Sequence, residues 1–261
     1  MKTEKINLWK NAPGMCEEIP TITAFIPNKK KSDGSIVILA GGAYEKRANH
    51  EGEGYAEWLA ERGITSFVCD YRVKPHQFPL PLVDSRRAIK YVRYNAEKYG
   101  IDKNKVFIMG SSAGGHLAAL TSTYYENTEY DNIDEIDNEC FIPDGQILCY
   151  PVIKLLGKNV AHLDSGKALL GERHVEMGEE LSPDIIATEK APKAFIWHNF
   201  DDTAVTVYNS LDYARKLRSV NVEAELHIFP RGGHGIGLAK SKPHPAQWSK
   251  LLYNWLLYYG F

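Results

Sequence analysis

The sequence predicts an α/β protein, with a mostly parallel central sheet and helices on both of its faces. Short apolar runs such as Ile36-Val-Ile-Leu-Ala40 and Val106-Phe-Ile-Met109 alternate with longer segments of helical spacing. That is the order a parallel sheet with crossover helices requires. The runs also lack the polar alternation of a half-exposed strand, as expected where both faces are covered. With 261 residues and 44% hydrophobic composition, the chain can bury one large core. No repeat, low-complexity tract or linker interrupts residues 1–261, so one domain is expected.

Charge narrows the partners. Lys and Arg number 31 against 33 Asp and Glu, which gives no electrostatic reason to expect nucleic acid or an acidic membrane surface. No run approaches the length of a membrane span. The polar start Met-Lys-Thr-Glu-Lys lacks the apolar core of a signal segment, so a cytoplasmic protein is expected. The four cysteines, Cys16, Cys69, Cys140 and Cys149, contain no CxxC pair. Cys69 and Cys149 fall inside apolar runs, where a thiol behaves as a small hydrophobe, and free thiols are expected rather than disulfides or metal ligands. Homo-oligomerisation is left open.

Taken in order, residues 1–35 read as an edge region containing the strand-like Thr21-Ile-Thr-Ala-Phe-Ile26, stopped by Pro27. Residues 36–40 are a buried strand running into Gly41-Gly42-Ala43-Tyr44. Residues 55–62 are helical with Gly63 as the stop, and residues 64–70 are the next strand. An irregular segment with Pro75, Pro79 and Pro81 follows. Helical spacing at Val83, Ala88, Ile89, Val92 and Ala96 then predicts a helix over 83–99, ended by Gly100. Residues 124–144 are acidic and polar, a surface excursion, and residues 146–150 are a strand. Residues 151–190 have weak periodicity and are expected to form at most a small lid. Strands at 194–197 and 223–229 and helices at 208–219 and 246–259 complete the pattern.

The chemistry centres on Val106-Phe-Ile-Met-Gly-Ser-Ser-Ala-Gly-Gly-His116. An apolar run ends in Gly110-Ser111-Ser112-Ala113-Gly114, and a small-residue helix begins from Gly115. Gly-x-Ser-x-Gly between strand and helix makes a tight turn that exposes a strained serine, so Ser112 is the candidate nucleophile. A serine needs a neighbouring base and an acid to orient that base, and in this arrangement they follow in the order Ser, acid, His at the ends of later strands. After residues 194–197 stand Asp201 and Asp202. Asp202, four residues after His198 and three before Val205, is the better placed, with Asp201 the alternative. Its role would be to fix the histidine tautomer and stabilise the imidazolium. After the last strand, glycines around His234 in Pro-Arg-Gly-Gly-His-Gly let a loop carry the imidazole back to Ser112. His198 is expected to pack behind the acid loop. His116 lies on the elbow helix and His227 inside a strand. His50, His76, His162, His174 and His244 lie in polar segments where exposure is the default.

Acyl transfer also needs donors for an oxyanion. The Ala113 N–H supplies one, and Gly42 or Ala43 in the glycine-rich loop supplies the other. That loop lacks the GxxxxGK[ST] pattern of a phosphate cradle. Two clusters could in principle ligate metal: His50 with Glu51 and Glu53, and His198 with Asp201 and Asp202. Neither has HExxH or comparable spacing, so no metal and no cofactor is expected.

From about residue 36 onwards the chain resembles an α/β-hydrolase esterase of the group that includes bacterial acetyl xylan and related carbohydrate esterases. The residues carrying the resemblance are Ala40-Gly-Gly-Ala-Tyr44, Glu51-Gly-Glu53, Asp70-Tyr-Arg-Val73, Phe78-Pro-Leu-Pro-Leu82 and Gly110-Ser-Ser-Ala-Gly-Gly-His-Leu-Ala118. Further on come Tyr150-Pro-Val-Ile153, Leu169-Leu-Gly171, Trp197-His-Asn-Phe-Asp-Asp202, Asn209-Ser210 and Glu225-Leu-His-Ile-Phe-Pro-Arg-Gly-Gly-His-Gly235. The resemblance implies a Ser112–Asp202–His234 triad and an oxyanion loop at Gly42 and Ala43. It departs at Ala43, where relatives usually have a third glycine, and at Thr206, where many have proline. The implied activity is a serine carboxylesterase removing small acyl groups, acetyl first, from carbohydrate esters. The partner is then a small-molecule ester or oligosaccharide, with Tyr44 and Trp197 as pocket walls on which a sugar could stack, the alternative being that both simply fill the core. The competing expectations are a peptidase of the same fold, which usually carries a large additional domain, and a binding protein that has lost its triad. The resemblance marks Glu51 without giving it a role.

Overall fold

The structure, a computed structural model, describes residues 1–14, 19–128, 130, 132–157 and 159–261. The expected free thiol at Cys16 lies outside them. The chain opens with β1 (Lys2–Asn7) and β2 (Thr21–Ile26), followed by β3 (Ser35–Leu39), α1 (Asn49–Glu61), β4 (Thr65–Asp70) and α2 (Leu80–Tyr94). Next come the short α3 (Ala96–Tyr99), β5 (Val106–Ser111) and α4 (Ser112–Thr123). The second half contains β6 (Gly145–Cys149), the short helices α5 (Leu163–Leu170), α6 (His174–Met177) and α7 (Pro183–Ile186), then β7 (Ala194–Asn199) and α8 (Tyr208–Ser219). β8 (Ala224–Phe229) and α9 (Trp248–Tyr258) end it.

Among the described residues, eight strands form one sheet in the order β1-β2-β4-β3-β5-β6-β7-β8. β1 and β2 pair antiparallel, as do β2 and β4, whereas every pair from β4 to β8 is parallel. Alternate residues of the central strands serve two cores. Val37, Leu39, Ile108 and Ile196 pack with α2, α4 and α8 on one face. Ile36, Ile38, Phe107, Met109 and Phe195 pack with α1 and α9 on the other. Both faces are covered, which is why these strands read as unbroken apolar runs. Each such side chain, fully removed from water, contributes about 1.5–3 kcal/mol.

Several boundaries differ from the sequence expectation. β1 lies where only an edge region was expected; its side chains are mostly exposed or half-buried, so little apolar pattern marks it. The helix expected over 55–62 starts earlier, at Asn49. The helix expected over 83–99 starts at Leu80, with a proline in its first turn where the missing N–H costs nothing. It breaks at Asn95, and α3 then ends on Gly100 in the left-handed conformation at φ 60°. The described residues between 124 and 144 are mostly exposed or half-buried, and they include a 3-10 turn, Glu135–Asn138. Arg87 anchors it with a bidentate grip on Asp134 at 2.6 and 2.7 Å. Residues 151–190 carry α5 to α7 beside the carboxyl ends of the strands. Among the described residues, Cys69, Cys140 and Cys149 are free, and no helix is long and apolar enough to cross a membrane.

A buried ion pair fastens the antiparallel margin to α2. Arg72 and Asp84 are fully buried; Arg72 Nε–H donates to Asp84 Oδ2 at 2.8 Å and a terminal N–H to Oδ1 at 2.8 Å. The Arg72 backbone N–H and the Trp9 indole N–H also donate to this carboxylate, at 2.9 and 3.1 Å. Asp84→Ala would leave a buried guanidinium without this counter-charge, and such losses cost about 3–5 kcal/mol. Urea unfolding should show a correspondingly lowered midpoint; an unchanged midpoint would show that the pair contributes no stability.

Candidate active site

The site is built where β5 turns into α4. A Cβ on Gly110 would lie 2.1 Å from the Gly114 carbonyl oxygen, and one on Gly114 would lie 2.2 Å from the Leu39 carbonyl oxygen. Only glycine lets the backbones approach this closely, and the turn holds Ser112 at φ 53°. A non-glycine residue there carries roughly 1–3 kcal/mol of local strain. Ser112 is buried except for its reactive side, and its hydroxyl opens into a cavity of about 280 Å³.

The structure brings the three expected residues together. His234 Nε2 is 2.8 Å from Ser112 Oγ, and His234 Nδ1 is 2.6 Å from Asp202 Oδ2. Asp202 is fixed in turn: its Oδ1 accepts the Ala204 and Val205 N–H groups at 3.0 and 2.9 Å. Burial would raise this carboxyl's pKa. The hydrogen bonds from His198 and His234, the charge of His234 and the Val205 N–H outweigh burial and hold it well below the usual carboxylate range. Asp202 is therefore ionised across the neutral range.

Asp201, the alternative acid, faces elsewhere. Its Oδ1 accepts the Gly232 and Gly233 N–H groups at 2.8 and 2.9 Å, clamping the loop that carries His234. The Asn199 side-chain amide donates to the Gly233 carbonyl at 2.8 Å from beneath. His198 packs behind the acid loop as expected. Its Nδ1 accepts from Ser210 at 2.7 Å, and its Nε2–H reaches the Val205 carbonyl at 2.9 Å and Asp202 Oδ2 at 3.2 Å.

The loop expected to bear the oxyanion donors lines the cavity that also holds His234. Gly42 takes φ 138°, and Ala43 and Tyr44 take φ 57° and 60°. Ala43 thus occupies a left-handed position where glycine would be unstrained. The Gly42 carbonyl accepts the Glu45 and Lys46 N–H groups at 3.0 and 3.1 Å, closing the turn. Gly42 and Ala43 line the same cavity as Ser112 and His234. The Ala113 N–H belongs to the first turn of α4, which has no intrahelical acceptor.

Two expected pocket walls are corrected. Tyr44 and Trp197 are completely buried, with no surface left for a sugar. Tyr44 turns inward because its hydroxyl donates to His116 Nδ1 at 2.7 Å. Trp197 sits on the opposite core face, stacked on Trp248 with ring centroids 4.9 Å apart. The cavity is lined instead by Gly42, Ala43 and Ala48, by Glu45, Lys46, His50 and Glu51, and by His162 and Gly235. Sequence reasoning weighed His50 only as a possible metal ligand beside Glu51 and Glu53 and missed His162, whose polar surroundings carry no site signal. His162 is half-buried at the start of α5, and desolvation lowers its pKa, as does the nearby His234. His174, expected to be exposed, is buried and donates from Nε2 to the Leu155 carbonyl at 2.6 Å. A larger groove of about 540 Å³, between Asn28, Lys31, Glu57 and Glu61, lies away from Ser112. Among the described residues no three His, Cys, Asp or Glu side chains gather as metal ligands; Glu53 faces a separate small cavity.

The sheet order, the elbow and the Ser–His–Asp geometry make this protein an α/β hydrolase. The family profile described as BD-FAE matches residues 23–217, taking in Ser112 and Asp202 and ending before His234. The chain belongs to the BD-FAE family. Among solved structures it is similar to an acetyl ester-xyloside bifunctional hydrolase from Caldicellulosiruptor lactoaceticus, at 40% identity and TM-score 0.90, covering 97% of this chain and 94% of that one. It is 33% identical over 93% of its length to an endo-1,4-beta-xylanase B of Butyrivibrio fibrisolvens, and 32% identical over 90% to an acetylxylan esterase of Xylanibacter ruminicola. The chain spans only 39% and 47% of those two proteins' own lengths.

His116 gives the region a pH dependence. It is fully buried, accepting from Tyr44 and donating from Nε2 to the Leu181 carbonyl at 2.9 Å, and desolvation lowers its pKa to about 4. The unfolded chain therefore binds this proton first as pH falls, and stability declines between about pH 6.5 and 4. The loss should approach about 3 kcal/mol. Denaturant melts across this window should show the decline in wild type and a flatter curve in His116→Gln. Parallel curves would show that His116 is not its source.

Proposed function

We propose that the protein is a serine carboxylesterase that removes small acyl groups, acetyl above all, from carbohydrate esters such as acetylated xylo-oligosaccharides. The observation that carries this reading is the hydrogen-bonded line from Ser112 Oγ through His234 to Asp202, opening into a cavity beside the Gly42–Ala43 turn. Ser112 Oγ attacks the ester carbonyl carbon as its proton passes to His234 Nε2. The carbonyl oxygen becomes the oxyanion and takes hydrogen bonds from Ala113 N–H and from Ala43 or Gly42 N–H. Asp202 holds the imidazolium that forms. Collapse expels the alcohol, which takes the proton from His234, and water then cleaves the acyl-enzyme by the same steps in reverse.

The small, polar cavity lining supports a short acyl group: no large apolar side chain stands among the residues named above to cover a long one. The acetylxylan esterase and the acetyl ester-xyloside hydrolase among the similar proteins support a sugar acetate as substrate.

Hydrolysis of chromogenic esters from acetyl to octanoyl should be fastest on acetyl. Ser112→Ala should lower kcat on the order of 10⁵- to 10⁶-fold. A preference for octanoyl would remove the small-acyl reading, and turnover that survives in Ser112→Ala would remove the serine mechanism. Asp202→Asn should lower kcat by about 10⁴-fold through the wrong histidine tautomer, measured on the same acetyl ester; Asp201→Asn, acting only on the loop clamp, should cost far less.

A further inference from the structure

Glu51 has no part in the proton transfers above, yet it is 2% exposed and lines the cavity. Burying a carboxylate is costly unless its oxygens are satisfied, and the two partners of Glu51 are informative. Its Oε2 accepts the Gly41 N–H at 3.0 Å, at the root of the oxyanion turn. Its Oε1 accepts the Tyr150 hydroxyl at 2.7 Å. That hydroxyl in turn accepts the Gly237 N–H at 2.9 Å, in the loop that carries His234. The Tyr150 ring also meets the His234 ring edge-on, with centroids 5.0 Å apart.

The direction of each bond is fixed. Gly41 and Gly237 can offer only N–H donors, so Tyr150 must direct its own proton toward Glu51, and Glu51 must accept on both oxygens. Neighbouring contacts tighten the same joint. His50 Nε2 bonds the Gly235 carbonyl at 2.9 Å, and Ala48 N–H donates to the Gly41 carbonyl at 2.9 Å. There is no slack at Gly41: a Cβ there would fall 2.5 Å from Glu51 Oε2 and 3.0 Å from Ser112 Cβ.

We propose that Glu51 is a positioning residue: its carboxylate, through Tyr150, ties the turn bearing the oxyanion donors to the loop bearing His234. The proposal rests on the esterase reading and adds to it the part that keeps donors and base in register with Ser112. Without the tie, the Gly42–Ala43 amides and the imidazole are held in register only by the remaining contacts, and displacements near 1 Å at a reacting centre can cost about 100-fold. A glutamine keeps an acceptor for Gly41. Its amide N–H₂ then faces the Tyr150 oxygen, which must turn its own proton toward Tyr55, 3.2 Å away. The tie survives weakened.

The test is steady-state hydrolysis of an acetyl ester by wild type, Glu51→Ala, Glu51→Gln, Tyr150→Phe and the Glu51→Ala/Tyr150→Phe double variant. Ser112→Ala serves as the blank, and circular dichroism and thermal melts establish the folded fraction. Glu51→Ala should lose about 10- to 100-fold in kcat with KM within about twofold, and Glu51→Gln should recover part of that loss. Tyr150→Phe, which keeps the ring, should also lose kcat, and the double variant should lose less than the product of the single losses because both act in one chain. Wild-type kcat in folded Glu51→Ala or Tyr150→Phe overturns the proposal, as does a fall that only tracks lost folded protein. If Glu51→Ala does not fold, Tyr150→Phe and Glu51→Gln decide in the same way. No turnover by wild type removes the esterase reading and this proposal with it, whereas an active wild type beside unaltered variants removes this proposal alone.

Discussion

The close approach of backbone to backbone at Gly110 and Gly114 is the constraint on which the arrangement depends. Because no Cβ fits at either position, β5 can turn directly into α4 and stand Ser112 upright at the carboxyl edge of the sheet. Strand order then decides what surrounds it. β3 is the neighbour of β5 on one side, so the loop that follows β3 must emerge beside the elbow, where Gly42 and Ala43 are found. β6, β7 and β8 lie on the other side in sequence order, so the acid loop after β7 and the histidine loop after β8 start progressively farther away. His234 therefore has to reach back across strand ends, and the glycines at 232, 233, 235 and 237 give that loop its freedom.

Freedom of that kind would be useless without anchors, and much of the buried polar chemistry serves to supply them. Asp201 takes two N–H groups of the loop and Asn199 binds one of its carbonyls. The Trp248 indole N–H donates to the Gly237 carbonyl at 3.1 Å, from a ring stacked on Trp197. The aromatic residues near the site thus act through rigidity. Trp197, Trp248, Tyr150 and Tyr55 form a packed frame beneath the strand ends, from which the Trp248 N–H and the Tyr150 and Tyr55 hydroxyls reach polar partners.

What was legible in the sequence followed from strong local rules. Runs that are wholly or mostly apolar marked β3 to β7 because both faces of those strands are covered. Chain order and the elbow identified Ser112, Asp202 and His234 as the side chains to look for. β1 escaped because Lys-Thr-Glu-Lys-Ile-Asn is a half-exposed edge strand whose stability comes from pairing with β2 rather than from its own pattern. The first turn of α1 escaped because Glu51-Gly-Glu-Gly54 carries two glycines of poor helix propensity, and that turn holds Glu51. Tyr44 and Trp197 were misjudged for a different reason. Their positions beside the motifs are correct, but in a sheet covered on both sides sequence neighbours of a site point into the core as readily as out of it.

Choosing between Asp201 and Asp202 shows the limit of spacing and how three dimensions pass it. The two residues are adjacent, so any rule counted along the chain separates them by one position only. Their side chains leave the backbone in different directions. Asp202 turns down, where Ala204 and Val205 offer N–H groups and His198 offers a ring N–H, and where burial leaves no water to weaken its hold on His234. Asp201 turns out to the loop amides and remains in contact with solvent. One carboxylate orients the imidazole ring and the other the loop that presents it. The pair divides between adjacent residues the two constraints, tautomer and position, that a histidine on a glycine-rich loop must satisfy at once.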